Sequence, residues 1–115
     1  MSVSYDTLVG RYRLSRRELG VECGFNVQLA LAEKLSKWRN VGPYLLGEKW
    51  ETMVEEIEHG KQDEKGKRLA LLQRWKEVYG SEATHETLIR ALLLADRTDL
   101  AEVVCQRVGE SWSSE

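Results

Sequence analysis

From Val27 onward, apolar residues recur at intervals of three and four along most of the chain, the period of amphipathic helices that each bury one stripe. The first stripe is Val27, Leu31 and Leu35, joined by Trp38, with Asn26 placed to cap the helix. A short helix over residues 41–46 follows; with Asn40 as its cap, Pro43 falls in the first turn, where backbone donors are unpaired anyway. Gly47 stops it. Trp50, Met53, Val54 and Ile57 then fall at i, i+3, i+4 and i+7 and predict a third helix whose other face is acidic. Residues 59–62 read as a loop containing Gly60. Asp63 caps a long fourth helix carrying Leu71, Leu72, Trp75, Val78 and Tyr79, with Gly80 as its stop. Thr84 caps a fifth, with Leu88, Ala91, Leu92 and Ala95 on one face, and Thr98 caps a sixth that buries Leu100, Val103 and Val104.

The chain ends are less patterned. Leu8, Val9, Tyr12 and Leu14 fit a short helix, a strand or an arm laid over the bundle, and these alternatives stay open. The tail from Gly109 is small and polar around Trp112, a composition expected to fray. The single proline and the lack of a Ser/Gly-rich linker argue for one compact unit. The expected organisation is an arm or accessory segment over residues 1–24, a helical domain over 25–109 and a flexible tail over 110–115.

Composition narrows the function classes. With 115 residues, 42% hydrophobic and 31% charged, the chain has the balance of one soluble globular domain rather than of a disordered segment. No apolar run approaches the roughly 20 residues that span a bilayer, and the N-terminus lacks a secretory pattern. Cys23 and Cys105 lie far apart and outside metal-ligand spacing, which points to reduced thiols in an intracellular setting. His59 and His85 stand isolated in a loop and a first helical turn, expected at the surface, with no nucleophile motif nearby. Neither His-x-x-x-His nor Cys-x-x-Cys occurs, so no catalytic residue, metal or cofactor is expected. A net charge of −2 offers no overall cationic field to nucleic acid or membrane.

Three blocks in order carry a resemblance. Trp38 with Val41, Gly42 and Leu45 is similar to a second-helix signature of tryptophan, Leu-Ala and Leu-Gly, departing from it in Gly42 beside Pro43 and in the extra Leu46 before Gly47. "LLQRWKEVYGSEAT" and "LIRALLLADRTDLAEVV" resemble the later blocks of the same family. Over residues 29–108 the chain resembles the death domain family. The resemblance implies an all-α, six-helix antiparallel bundle in Greek key order, the death fold. It further implies a non-enzymatic adaptor that assembles homotypically with other death-domain proteins, itself included, in cytoplasmic apoptotic or inflammatory signalling. The parent could be a membrane receptor whose intracellular part this is. Trp38 and Trp75 read as core rings, while Ala91 and Ala101 let helices approach closely.

Charge then suggests where partners dock. Glu51, Glu55, Glu56 and Glu58 form the clearest anionic set, and Lys65, Lys67, Arg68, Arg74 and Lys76 on the fourth helix a cationic counterpart for head-to-tail contact. Either set also reads as an ordinary solvated face. By resemblance, the turn bearing Asp96, Arg97 and Asp99 is a contact region, with Arg97 equally suited to tie that corner to the core. Trp50 reads as core or as a partly exposed anchor. Two other classes remain. Arg11, Arg13, Arg16 and Arg17 around Tyr12 could lie along phosphates, although the acidic third helix argues against nucleic acid. The bundle could also pack only against a neighbouring domain of a larger scaffold.

Overall fold

The computed structural model describes residues 3–113, with side chains through Glu110. Eight α-helices are present among them: α1 (Tyr5–Arg11), α2 (Arg16–Gly20), α3 (Phe25–Lys34), α4 (Trp38–Leu46), α5 (Trp50–Glu58), α6 (Glu64–Tyr79), α7 (His85–Leu94) and α8 (Thr98–Ser113). Single 3-10 turns, Gly47–Lys49 and Gly80–Glu82, lead into α5 and toward α7. The six expected helices are α3 to α8. In the bundle, α3 packs between α6 and α8, α4 against α5, α6 and α7, and α7 along α8, so the first and last helices of the six are neighbours. Trp38, Leu31, Leu35, Leu71, Leu72, Leu88, Leu92 and Leu100 are fully buried where these faces meet. Rings and leucines of this size supply most of the apolar burial that opposes chain entropy in a domain this small.

The N-terminal segment is part of that core. Ser4 caps α1 by accepting from the Thr7 N–H, and Ser15 and Glu18 form a reciprocal capping box on α2. Leu8, Leu14, Leu19 and Cys23 are buried, with α1 lying on α7 and α8 and α2 on α7. Residues 21–23 run extended beside the start of α7. There the Cys23 N–H donates to the Ala83 carbonyl at 2.8 Å and the His85 N–H to the Val21 carbonyl at 3.2 Å. Of the alternatives open for Leu8, Val9, Tyr12 and Leu14, the structure has a short helix and following turn laid over the bundle, while the extended stretch further on makes one isolated bridge, Glu22 to Thr84, and no strand.

Several helix ends differ from expectation. Helix α3 starts after Gly24, with Asn26 inside it, because the pairing of Cys23 with Ala83 fixes the chain up to that point. Trp38 opens α4 instead of closing the preceding helix: Lys37 at φ 53° turns the chain, and Leu35 and Trp38 both stay buried around that corner. Asn40 and Pro43 therefore lie within α4, where proline leaves the Arg39 carbonyl without its usual helical donor. Gly47 at φ 73° and Gly80 at φ 55° do stop α4 and α6, since the left-handed region suits glycine. Asp63 and Thr84 accept from the Gly66 and Thr87 N–H groups as caps. Thr98 is already helical, and the Leu100 and Ala101 N–H groups bond the Arg97 carbonyl. Val78 and Tyr79 are exposed and Val103 half-buried, where the period had placed them on apolar stripes. Helix α8 runs on to Ser113 through most of the expected tail; residues 114–115, and the Trp112 side chain, lie outside the described residues.

Gly42 has a packing reason. A Cβ there would sit 2.9 Å from Val54 Cγ2 and 3.5 Å from Trp50 Cε3, so the missing side chain lets α5 lie close on α4. That contact fixes the orientation of the acidic helix.

Candidate interaction surfaces

Helix α5 buries Val54 and Ile57, half-buries Trp50 and Met53, and turns its carboxylates outward. They divide into two kinds. Glu56 pairs with Arg74 of α6. Glu58 pairs with Arg39 of α4 at 2.7 Å, and the hydrogen bond from that guanidinium holds the Glu58 carboxyl below its ordinary value. Glu51 and Glu55 are exposed and have no cation within ion-pair distance among the described residues.

The cations of α6 are largely consumed inside the molecule. Besides Arg74, Lys65 pairs with Glu33 of α3 at 3.3 Å, and Arg68 lies between the Glu33 carbonyl at 3.5 Å and Glu64 at 3.8 Å. Lys67 donates to the Glu58 carbonyl at 2.8 Å. The same Glu64 accepts from the Trp38 indole at 3.1 Å, so this cluster also orients the largest core ring. Lys76, half-buried, has no ion-pair partner among the described residues.

At the α7–α8 corner, Asp96 is exposed at φ 60°. Arg97 donates to the Ser36 carbonyl at 2.7 Å and the Ser36 hydroxyl at 3.2 Å, across the bundle in the α3–α4 turn. It also makes a fork to both Asp99 oxygens at 3.2 and 3.1 Å, and the guanidinium holds the Asp99 carboxyl below its usual range. Of the two roles open to Arg97, the geometry gives it the tie between corner and core, leaving Asp96 the outward group.

On the N-terminal arm, Arg11 pairs with Glu102 of α8 at 3.2 Å, and the Tyr12 hydroxyl donates to the same carboxylate at 3.4 Å. Arg13, Arg16 and Arg17 are exposed and lack a carboxylate partner among the described residues.

The histidines separate. His59 is exposed as expected, but His85 is only 4% exposed. The extended stretch before α3 covers it, and its Nδ1 lies 2.9 Å from the Glu18 carbonyl, leaving Nε2 buried without a partner. Both cysteines are free and buried, and burial pushes each thiol up to about 12, far from a reactive thiolate. No cluster of three or more His, Cys, Asp or Glu that could hold a metal occurs among the described residues, and no helix there is long and apolar enough to cross a membrane.

One surface was not anticipated. Tyr44, Tyr79 and Leu94 are all exposed around an open groove of about 590 Å³ floored by Leu45, Trp75 and Ala91. The signal for it was the run Leu92-Leu93-Leu94: a helix with one buried stripe cannot hide three successive leucines, and Leu94 is 72% exposed.

A family profile described as Death domain matches residues 28–108, from the middle of α3 into α8. No curated protein and no solved structure gives a significant match. The match covers most of the chain, reaches into all six core helices and includes the three sequence blocks, and the chain belongs to the death domain family.

Proposed function

We propose that the protein is a homotypic interaction module, docking on other death domains in cytoplasmic signalling of the apoptotic or inflammatory kind. The family is one of protein-interaction modules, which supports the coarse reading. The observation that carries the finer one is the outer face of α5. Glu51 and Glu55 stand on an ordered helix, pinned against α4 through Gly42, yet no cation among the described residues lies within ion-pair distance of them. A fixed, unpaired charge steers association and selects partners of opposite sign. Glu56, Glu58, Arg74, Lys65 and Arg68 contribute differently: paired within the molecule, they set the shape and field around that face. Asp96 is the outward charge of the second contact region. Two buried free thiols suit a reducing compartment.

The test is capture of purified death domains by the immobilised protein, wild type against Glu51→Lys/Glu55→Lys. Both substitutions are at exposed positions without an ion-pair partner among the described residues, so circular dichroism and melting should be unchanged while binding falls. Equal capture by both forms would remove α5 from the interface; capture of no death domain, itself included, would overturn the homotypic reading.

A further inference from the structure

We infer that the α5 face of one molecule docks on the N-terminal arm of a second copy, with Arg13, Arg16 and Arg17 meeting Glu51 and Glu55, so that copies join head to tail. This rests on the reading of the chain as an interaction module and names the two surfaces.

The basic residues of α6 would be the obvious counterpart to an acidic helix, but Arg74, Lys65 and Arg68 already face Glu56, Glu33 and Glu64 within the molecule. Drawing them into an intermolecular contact would exchange one largely exposed ion pair for another, so the net gain is small. Arg13, Arg16 and Arg17 carry no such cost, since none has a carboxylate partner among the described residues. They are also held in place. Leu14 and Leu19, interleaved with them, are buried, and the Ser15–Glu18 capping box fixes the turn between. Less freedom is therefore lost on docking than from a disordered basic tail.

The opposite surface fits in sign and form. Glu48 in the 3-10 turn, then Glu51 and Glu55, are exposed along one stretch with Lys49 as its only free cation. Trp50, half-buried beside Glu51 and packed against the core, adds partly exposed aromatic surface to that stretch.

Placement decides the kind of assembly. The arm packs chiefly on α7 and α8, whereas α5 packs on α4 and α6, so the two surfaces belong to different sides of the bundle. A molecule can use both at once with two different neighbours. Such a contact is heterologous and grows rather than closing as a two-fold pair.

The test uses the full chain and two neutralised variants, Arg16→Gln/Arg17→Gln and Glu51→Gln/Glu55→Gln, each checked for unchanged circular dichroism. In sedimentation or light scattering at low salt, the wild type should grow in mass with concentration, and each variant alone should associate about tenfold or more weakly. Mixed together, they should form a 1:1 complex and nothing larger, because each brings one intact surface and lacks the other. Variants that associate like the wild type, or that fail to pair when mixed, would overturn the inference. So would a wild type that stays monomeric: if it still captures another death domain, the module reading stands without self-assembly. If Arg16→Gln/Arg17→Gln instead lowers only binding to a single-stranded oligonucleotide, the arm is a nucleic-acid surface and the inference falls.

Discussion

A charged residue's effect here depends on what its side chain already touches. Arg97 joins the α7–α8 corner to Ser36 and Asp99, and its own side chain is only 19% exposed, whereas both partners are exposed and regain water when it is truncated. Arg97→Ala should cost about 0.5–1.5 kcal/mol in a denaturant melt and let the Asp99 carboxyl return toward its ordinary value, readable by NMR titration. Arg16, exposed and unpaired, should tolerate the same change within about 0.5 kcal/mol. Buried apolar positions carry the larger costs. Trp75→Ala should destabilise the bundle by about 3–5 kcal/mol, and a melt at wild-type stability would contradict its core role. Gly42→Ala tests the opposite failure. Its Cβ would meet Val54 Cγ2 at 2.9 Å, so a loss of about 1–3 kcal/mol is expected. Gly42→Ala with Val54→Ala should lose less than the two single changes summed, since the second removes the atom the first collides with.

At the scale of elements, the N-terminal segment is bolted to α7 around His85. The imidazole is buried, accepts no charge cheaply, and sits below its ordinary 6.5 because burial outweighs the Glu18 carbonyl and carboxylate, while the Lys76 cation pushes the same way as burial. A histidine depressed in the folded state is protonated first in the unfolded chain. Its contribution is therefore intact above about 6.5 and declines as pH falls below that value. His85→Gln should flatten that slope in melts taken across this window; an unchanged slope would assign it to other groups. This docking was hard to see in the sequence, because Leu8, Leu14, Leu19 and Cys23 follow no single period: two short helices and an extended stretch each present one or two apolar groups. The six core helices were legible because each keeps a stripe over several turns and ends on a cap or glycine with a local mechanism. The α3–α4 corner was not, since Lys37 reverses the chain in a left-handed conformation that lysine does not advertise, and Trp38 continued the α3 spacing by coincidence. The acidic set was visible as composition, but its division into paired Glu56 and Glu58 and free Glu51 and Glu55 depends on Arg74 and Arg39 of other helices.

For the whole molecule, the net charge of −2 conceals an uneven distribution: among the described residues, Glu48, Glu51 and Glu55 stand unpaired on the α5 side, and Arg13, Arg16 and Arg17, without a carboxylate partner, stand on the α1–α2 side, where the exposed Asp6 and Glu22 offset part of their charge. A body charged in this way attracts copies of itself end to end despite its small net repulsion, and the attraction runs through solvent-exposed groups. Its reach is therefore set by the Debye length, roughly 10 Å at 0.1 M salt and about 3 Å at 1 M. Mean mass in light scattering should rise with protein concentration at low salt and return toward the 13.2 kDa of one chain at high salt. Burial of Tyr44, Tyr79 and Leu94 against a neighbour would give the opposite signature, since apolar contacts persist or strengthen as salt rises. Salt therefore tells the two surfaces apart in one titration. Association that dissolves with salt belongs to α5 and the arm, and association that survives it belongs to the groove between α4, α6 and α7.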